Sequence, residues 1–231
     1  MKDKQETLTL QNQLMNKNIL TNYTFTDTSQ LDIFTGIDGK KTIFLDNTSP
    51  LKYSILAKNA NIDIDVNTTR DGSELKIFIL TPVIKDHPSK ININLNLRHN
   101  RCKIDLHMVS LVFSDAENQA CATIYMQPSI QDSSSKLLEE TVVLSEKIKV
   151  RNLPILDIQA NNIAAAHGAK IYRLDEQKLF YLQSKWLSAQ QARSLLISSY
   201  PNMLFEDTME KEEEKEQIIA EFLDFDAQYH A

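Results

Sequence analysis

Residues 154–200 read PILDIQANNIAAAHGAKIYRLDEQKLFYLQSKWLSAQQARSLLISSY, and the period of the chain changes inside them. A hydrophobic, strand-like run ends at His167, where Gly168 permits a turn; from Asp175 onward the apolar spacing is helical. Asp175 is placed to cap a helix starting at Glu176, its carboxylate at the positive helix end. Ser188 and Gln191, three apart, make a capping box for a second helix through about Tyr200, with Pro201 expected to stop it. Ala192, Leu195, Leu196 and Ser199 give that helix its expected packing stripe. A third helix is predicted from about Thr208 to Phe225, acidic first, then with Ile218, Ile219, Phe222 and Leu223 at helical spacing.

Upstream, from about residue 20 to 165, the period is two, as in strands with one buried face. Ile62-Asp63-Ile64-Asp65-Val66 and Ile91-Asn92-Ile93-Asn94-Leu95-Asn96-Leu97 alternate without a break. Leu75, Ile77 and Ile79 form another set, and Ile104, Leu106 and Met108 one more. Apolar parity flips across His99-Asn100-Arg101, which predicts a corner there. With four glycines in 231 residues, turns that need positive φ must use Asn or Asp. Short strands with polar corners fit a sandwich, a barrel or a solenoid, and no repeat of fixed length chooses among them.

Composition excludes several classes. Hydrophobic residues make up 42% and charged residues 24%, ordinary values for a globular chain. No apolar stretch approaches the roughly 18–20 uninterrupted residues of a membrane span. The start, MKDKQETLTLQNQL, lacks the apolar core of a secretory signal, so the chain reads as cytoplasmic, with no membrane partner. Two cysteines, Cys102 and Cys121, are too few for a disulfide scaffold, a zinc module or a cluster held by this chain alone. The net charge is −6, and residues 206–231 alone carry ten acidic side chains against two lysines, which gives no support for nucleic-acid binding.

The order strand, His167-Gly168-Ala169, Leu174-Asp175-Glu176 and the Phe180-Tyr181-Leu182 helix is similar to the end of the core domain in the SufB/SufD family, the scaffolds of SUF iron–sulfur cluster assembly. Gln131-Asp132-Ser133 and Leu137-Leu138 resemble that family's step into its last coils, so the specific likeness covers roughly residues 130–205. The resemblance implies a mainly β protein: an extension at 1–20, a right-handed parallel β-helix at 21–172 and an α-helical region at 173–231. It also implies a shortened member, since the family's full-length chains are longer. Gly168 after the histidine is closer to the SufD branch, because the SufB branch has an acidic residue there. Departures are Ala165, where SufD-type members commonly carry cysteine, Asn161-Asn162 in place of an acidic pair, Lys170 after Gly-Ala, and Trp186 in place of a glycine.

In function, the resemblance implies a scaffold rather than an enzyme. It would pair with a SufB-type subunit, or with a second copy of itself, and bind a SufC-type ATPase through its helices. No cofactor would be held permanently; an iron–sulfur cluster would be shared transiently with a partner. His167 is the candidate iron or cluster ligand, because imidazole binds iron and moves protons near neutral pH. The bland alternative is a turn histidine. Leu179, Phe180, Tyr181 and Leu182 are the candidate SufC-docking cluster, on a helix too short to bury them alone. Cys102 shares parity with Ile104 and reads as a core residue; Cys121, on a face with Thr123 and Tyr125, is the more accessible thiol. His87, His99 and His107 are scattered among Asp and Lys neighbours; His107, on the polar face with Lys103 and Asp105, reads as solvated, and so does the pair Asp63 and Asp65. The rivals are a self-pairing scaffold without a cluster and an unrelated β-helix carbohydrate-active protein.

Overall fold

A computed structural model describes residues 20–25, 30–36, 38–47, 49–85, 89–146, 148–206 and 212–229. Strands alternate between two parallel six-stranded sheets, so each coil of the chain adds one strand to each sheet. Sheet A holds β1 (Leu20–Phe25), β3 (Asp38–Leu45), β5 (Asn61–Thr68), β7 (Ser89–Leu97), β9 (Glu117–Met126) and β11 (Lys149–Ile158) in that order. Sheet B holds β2 (Gln30–Thr35), β4 (Leu51–Lys58), β6 (Glu74–Val83), β8 (Lys103–Val112), β10 (Gln131–Val143) and β12 (Asn162–Arg173). The molecule is a parallel β-solenoid followed by helices, the architecture the resemblance implied.

Alternation builds the interior. Ile62, Ile64 and Val66 stack in register on Ile91, Ile93 and Leu95, then on Ala120, Ala122 and Ile124. Facing them, Leu75, Ile77 and Ile79 stack on Ile104, Leu106 and Met108, and all of these are buried in one core. The corners supply the turns. Asn59 and Asp132 take positive φ as expected, and so does Arg101, in the predicted corner, at φ 54°. The absence of a fixed repeat has a geometric cause. Asn61 bonds Asp38, 23 residues back, whereas Asn92 bonds Asp63 across 29 and Asp105 reaches Lys136 across 31. Coils lengthen along the solenoid, and their corners absorb the difference.

A second core lies outside sheet B. The C-terminal halves of its strands lose alternation, because Leu56, Phe78, Leu80, Val109, Leu111 and Val142 point away from the interior and are still buried. They are covered by α2 (Ala189–Leu204) and α3 (Glu212–Tyr229), preceded by the short α1 (Glu176–Ser184). Phe113, Phe222 and Phe225 meet edge-on or tilted, with centroids 5.8–6.2 Å apart. Arg193 and Asp226 form a two-pronged, largely buried ion pair between α2 and α3, and Lys58 ties Glu221 of α3 to β4.

The caps are as predicted: Asp175 accepts from the amides of Gln177 and Lys178, and Ser188 and Gln191 complete a reciprocal box. Other expectations are corrected. Pro201 does not stop α2, which runs to Leu204; Pro201 and Leu204 are both buried, and that packing offsets the one backbone bond that proline forgoes. The buried stripe is Ala192, Ile197, Pro201 and Leu204, while Leu195 and Ser199 are exposed. The third helix runs on to Tyr229, and its expected start at Thr208 lies outside the described residues. His167-Gly168 is not a turn: it lies within β12, which pairs with β10 through to Arg173.

Candidate functional site

The last coil, made of β11 and β12, is where the solenoid stops. Each of these strands pairs along one edge only among the described residues, with β9 and β10 respectively. In β12, Ile163, Ala165 and His167 stand in register over the buried Ser133, Ser135 and Leu137 of β10, so they belong to the inward-facing set. No further coil covers them among the described residues. His167 is consequently exposed.

Its ring spans the end of the solenoid. Nδ1 of His167 lies 3.2 Å from the Pro154 carbonyl oxygen of β11, on the opposite sheet. A carbonyl only accepts, so Nδ1 donates this hydrogen bond and Nε2 is the nitrogen left for another partner. Histidines that bind a metal through Nε2 commonly anchor the other nitrogen on a carbonyl in this way. Ala165, beside it on the same face, packs on the interior core and supplies no thiol.

One coil below, β10 places a charge where its neighbours place hydrocarbon. Glu139 follows Leu137 on the inward face, opposite Met108 of β8 and Ala169 of β12. It is 0% exposed, and neither carboxylate oxygen has a hydrogen-bond partner among the described residues. Burial pushes its pKa up to about 7, although the backbone at Ala122 and Leu153 faces the carboxyl closely enough to offset part of the cost. Sequence reasoning missed this residue. Glu139 and Glu140 are adjacent, and only the register shows which of them points inward.

The two cysteines are unlike in place but alike in chemistry. Cys102 is buried at a corner, as expected, and burial holds its thiol above the usual value. Cys121 is half-buried; burial first, and the Glu139 charge second, raise it too. Raised values leave little thiolate at neutral pH, so neither cysteine is poised as a nucleophile.

Among the other histidines, His107 is not simply solvated. Its Nε2 lies 2.6 Å from Glu140, which also holds Lys170 at 3.2 Å, and its ring meets Phe78 edge-on. His99 lies 3.2 Å from the Thr68 hydroxyl, and His87 lies outside the described residues. The Asp63 and Asp65 carboxylates accept from Asn92 and Asn94 as rungs of a cross-strand ladder.

The helical cluster divides. Leu179 packs, half-buried, on the second core, and Leu182 is half-buried. Phe180 and Tyr181 are 75% and 60% exposed, and Trp186 just beyond α1 is 97% exposed. Trp186 holds φ 71°, a backbone conformation that glycine adopts without cost. The glycine-to-tryptophan departure therefore leaves the turn intact and puts an indole in solvent.

The structure thus combines a parallel solenoid, a last coil that no further coil covers among the described residues, an exposed histidine on that coil and helices along one sheet. The family model described as SUF system FeS cluster assembly, SufBD core domain, matches residues 47–200, and the chain belongs to that family. The match reaches well upstream of residue 130, beyond the stretch of specific likeness, so the earlier coils belong to the matched core domain as well. The chain is 24% identical over 144 residues to an iron-sulfur cluster assembly SufBD family protein of Synechocystis, covering 62% of this chain and 32% of that one. It is 26% identical over 88 residues to the iron-sulfur cluster assembly protein SufD of Escherichia coli, covering 38% and 21%. With SufB of Bacillus subtilis it shares 28% over 61 residues, 26% and 13% of the two chains. The matched stretch spans about a third or less of these relatives. Among the described residues, no helix is long and apolar enough to cross a membrane.

Proposed function

We propose that this chain is a cytoplasmic, non-enzymatic SufD-like scaffold subunit for SUF iron–sulfur cluster assembly. The uncovered last coil carries the reading. Long parallel edges with free backbone groups invite pairing with another chain, and here β11 and β12 present them side by side with His167 between them. The partner is a SufB-type subunit, with a second copy of this chain as the alternative. The nascent cluster is cargo held at that junction, with Nε2 of His167 as one ligand. The SufD-like assignment is supported by Gly168 after the histidine and by the match to the E. coli SufD.

A SufC-type ATPase docks on the helical side through Phe180 and Tyr181, whose exposed rings fit an interface better than a solvated helix. ATP chemistry belongs to that ATPase. Anaerobic co-purification with SufB-type and SufC-type subunits tests the assembly. Phe180→Asp is expected to lower SufC recovery at least tenfold while SufB pairing persists. Association with neither subunit would sink the proposal. Reconstitution of the complex with iron and sulfide tests the site: His167→Ala is expected to lose most of the cluster absorbance, and an unchanged spectrum would reduce His167 to a structural residue. Self-association together with no cluster would establish the self-pairing alternative.

A further inference from the structure

The C-terminal end of β12 borders a cleft of about 830 Å³, walled by α1 and α2. Sites for small ligands usually span roughly 300–1,000 Å³, and this one falls inside that range. Its lining mixes cations with apolar surface: Lys170, Arg173 and Lys178 lie beside Tyr172, Leu196 and Tyr200. Those last three are half-buried and pack on the second core, so the fold itself holds that wall in place.

The carboxylates of the cleft are already engaged. Glu140 accepts from Lys170 at 3.2 Å and meets Nε2 of His107 at 2.6 Å. Asp175 accepts from the amides of Gln177 and Lys178, where the positive end of α1 offsets its charge. Arg173 and Lys178 have no carboxylate partner among the described residues. Lys178 also stands in the first turn of α1, where the helix dipole disfavours a cation. Two unpaired cations therefore face one cleft, and one of them is placed against its local preference. A planar guanidinium takes an oxyanion on two parallel N–H bonds, and an ammonium adds a point charge beside it.

We propose that this cleft binds a small organic phosphate, with the phosphoryl group on Arg173 and Lys178 and an apolar or aromatic body against Tyr172, Leu196 and Tyr200. A phosphoryl group fits better than a carboxylate because a dianion engages both cations, whereas Arg173 alone satisfies a carboxylate. Neither His167 nor the exposed Phe180 and Tyr181 lines the cleft. The inference goes beyond the scaffold reading and does not rest on it.

The test is titration of the full chain with phenyl phosphate, read by calorimetry and by the backbone amide signals in NMR. Saturable binding is expected, with the amide shifts gathered at 169–178 and 196–200; no saturable binding, or shifts gathered elsewhere, overturns the site. Arg173→Gln and Lys178→Gln are each expected to weaken binding at least fivefold. Lys103→Gln, an exposed lysine at the other end of the sheet B strands, is expected to leave it unchanged within twofold. Equal weakening by all three overturns the site in favour of diffuse attraction to positive surface. Inorganic phosphate and benzoate divide the ligand, and each is expected to bind at least tenfold more weakly than phenyl phosphate. Inorganic phosphate binding as tightly overturns the apolar body, and benzoate binding as tightly overturns the phosphoryl group. Ser199→Trp narrows the cleft without changing its charge and is expected to weaken phenyl phosphate at least fivefold; undiminished binding in that variant overturns the proposal. An unchanged Tm in each variant shows that lost binding is not lost folding.

Discussion

On its outer face sheet A carries Asp63, Asp65 and Asn67 beside Asn92, Asn94 and Asn96, joined rung by rung through side-chain bonds of 2.6–3.2 Å. The outer face of sheet B carries Leu56, Phe78, Leu80, Val109 and Leu111 over its C-terminal half, clad by α2 and α3. Inside the solenoid the two sheets contribute alike to one core. Strict alternation therefore marks a strand face left to water, and its loss marks a face that has found a second layer. The same contrast separates inner coils from the last one: among the described residues β7 is covered on both edges, whereas β11 and β12 are covered on one.

The contrast between the two outer faces is broken most severely at Phe222, fully buried against Phe113. Phe222→Ala is expected to cost about 3–5 kcal/mol in denaturant unfolding, from lost burial plus the cavity left behind. If the cost falls below about 1 kcal/mol, the helical layer is not a core.

Glu139 tests the interior that both sheets share. Its carboxyl titrates near 7 when folded and near 4.5 when unfolded, so the folded state holds the extra proton between those values. That contribution to stability is complete below 4.5 and is lost as pH rises through 7. Glu139→Gln should therefore match wild type near pH 4 and exceed it by about 3 kcal/mol at pH 8. A constant difference across that window would show that Glu139 is not buried as a bare acid.

Trp186 offers a smaller effect at the helical edge. Trp186→Gly removes a side chain from a left-handed backbone position and should stabilise the chain by about 1 kcal/mol. Asn94→Ala, on the solvated ladder, should shift stability by no more than about 0.5 kcal/mol, measured in the same unfolding series. A ladder cost comparable to that of Phe222→Ala would erase the distinction between the two faces.

Much of the fold was legible because its signals are local. The alternation of Ile91 to Leu97, the parity flip at His99 to Arg101 and the caps at Asp175 and Ser188 each depend on neighbours within a few residues, and each stands as read. The expected stop at Pro201 failed because burial against sheet B outweighs one missing backbone bond. The assumed turn at Gly168 failed because pairing with β10, thirty residues back, carries the strand through it. The candidate site was legible at His167 through its surrounding motif and illegible at Glu139.

The sequence by itself determined the strand period, the starts of the first two helices, the acid-rich tail and the family likeness, since propensity, capping and pattern act along the chain. Only the tertiary structure decided that sheet B has two buried faces, that no further coil covers His167 among the described residues, and that Glu139 rather than Glu140 points inward. Those facts depend on register between strands 23 to 31 residues apart, in coils of unequal length. A shift of one residue turns every side chain to the opposite face, and no local signal carries that choice.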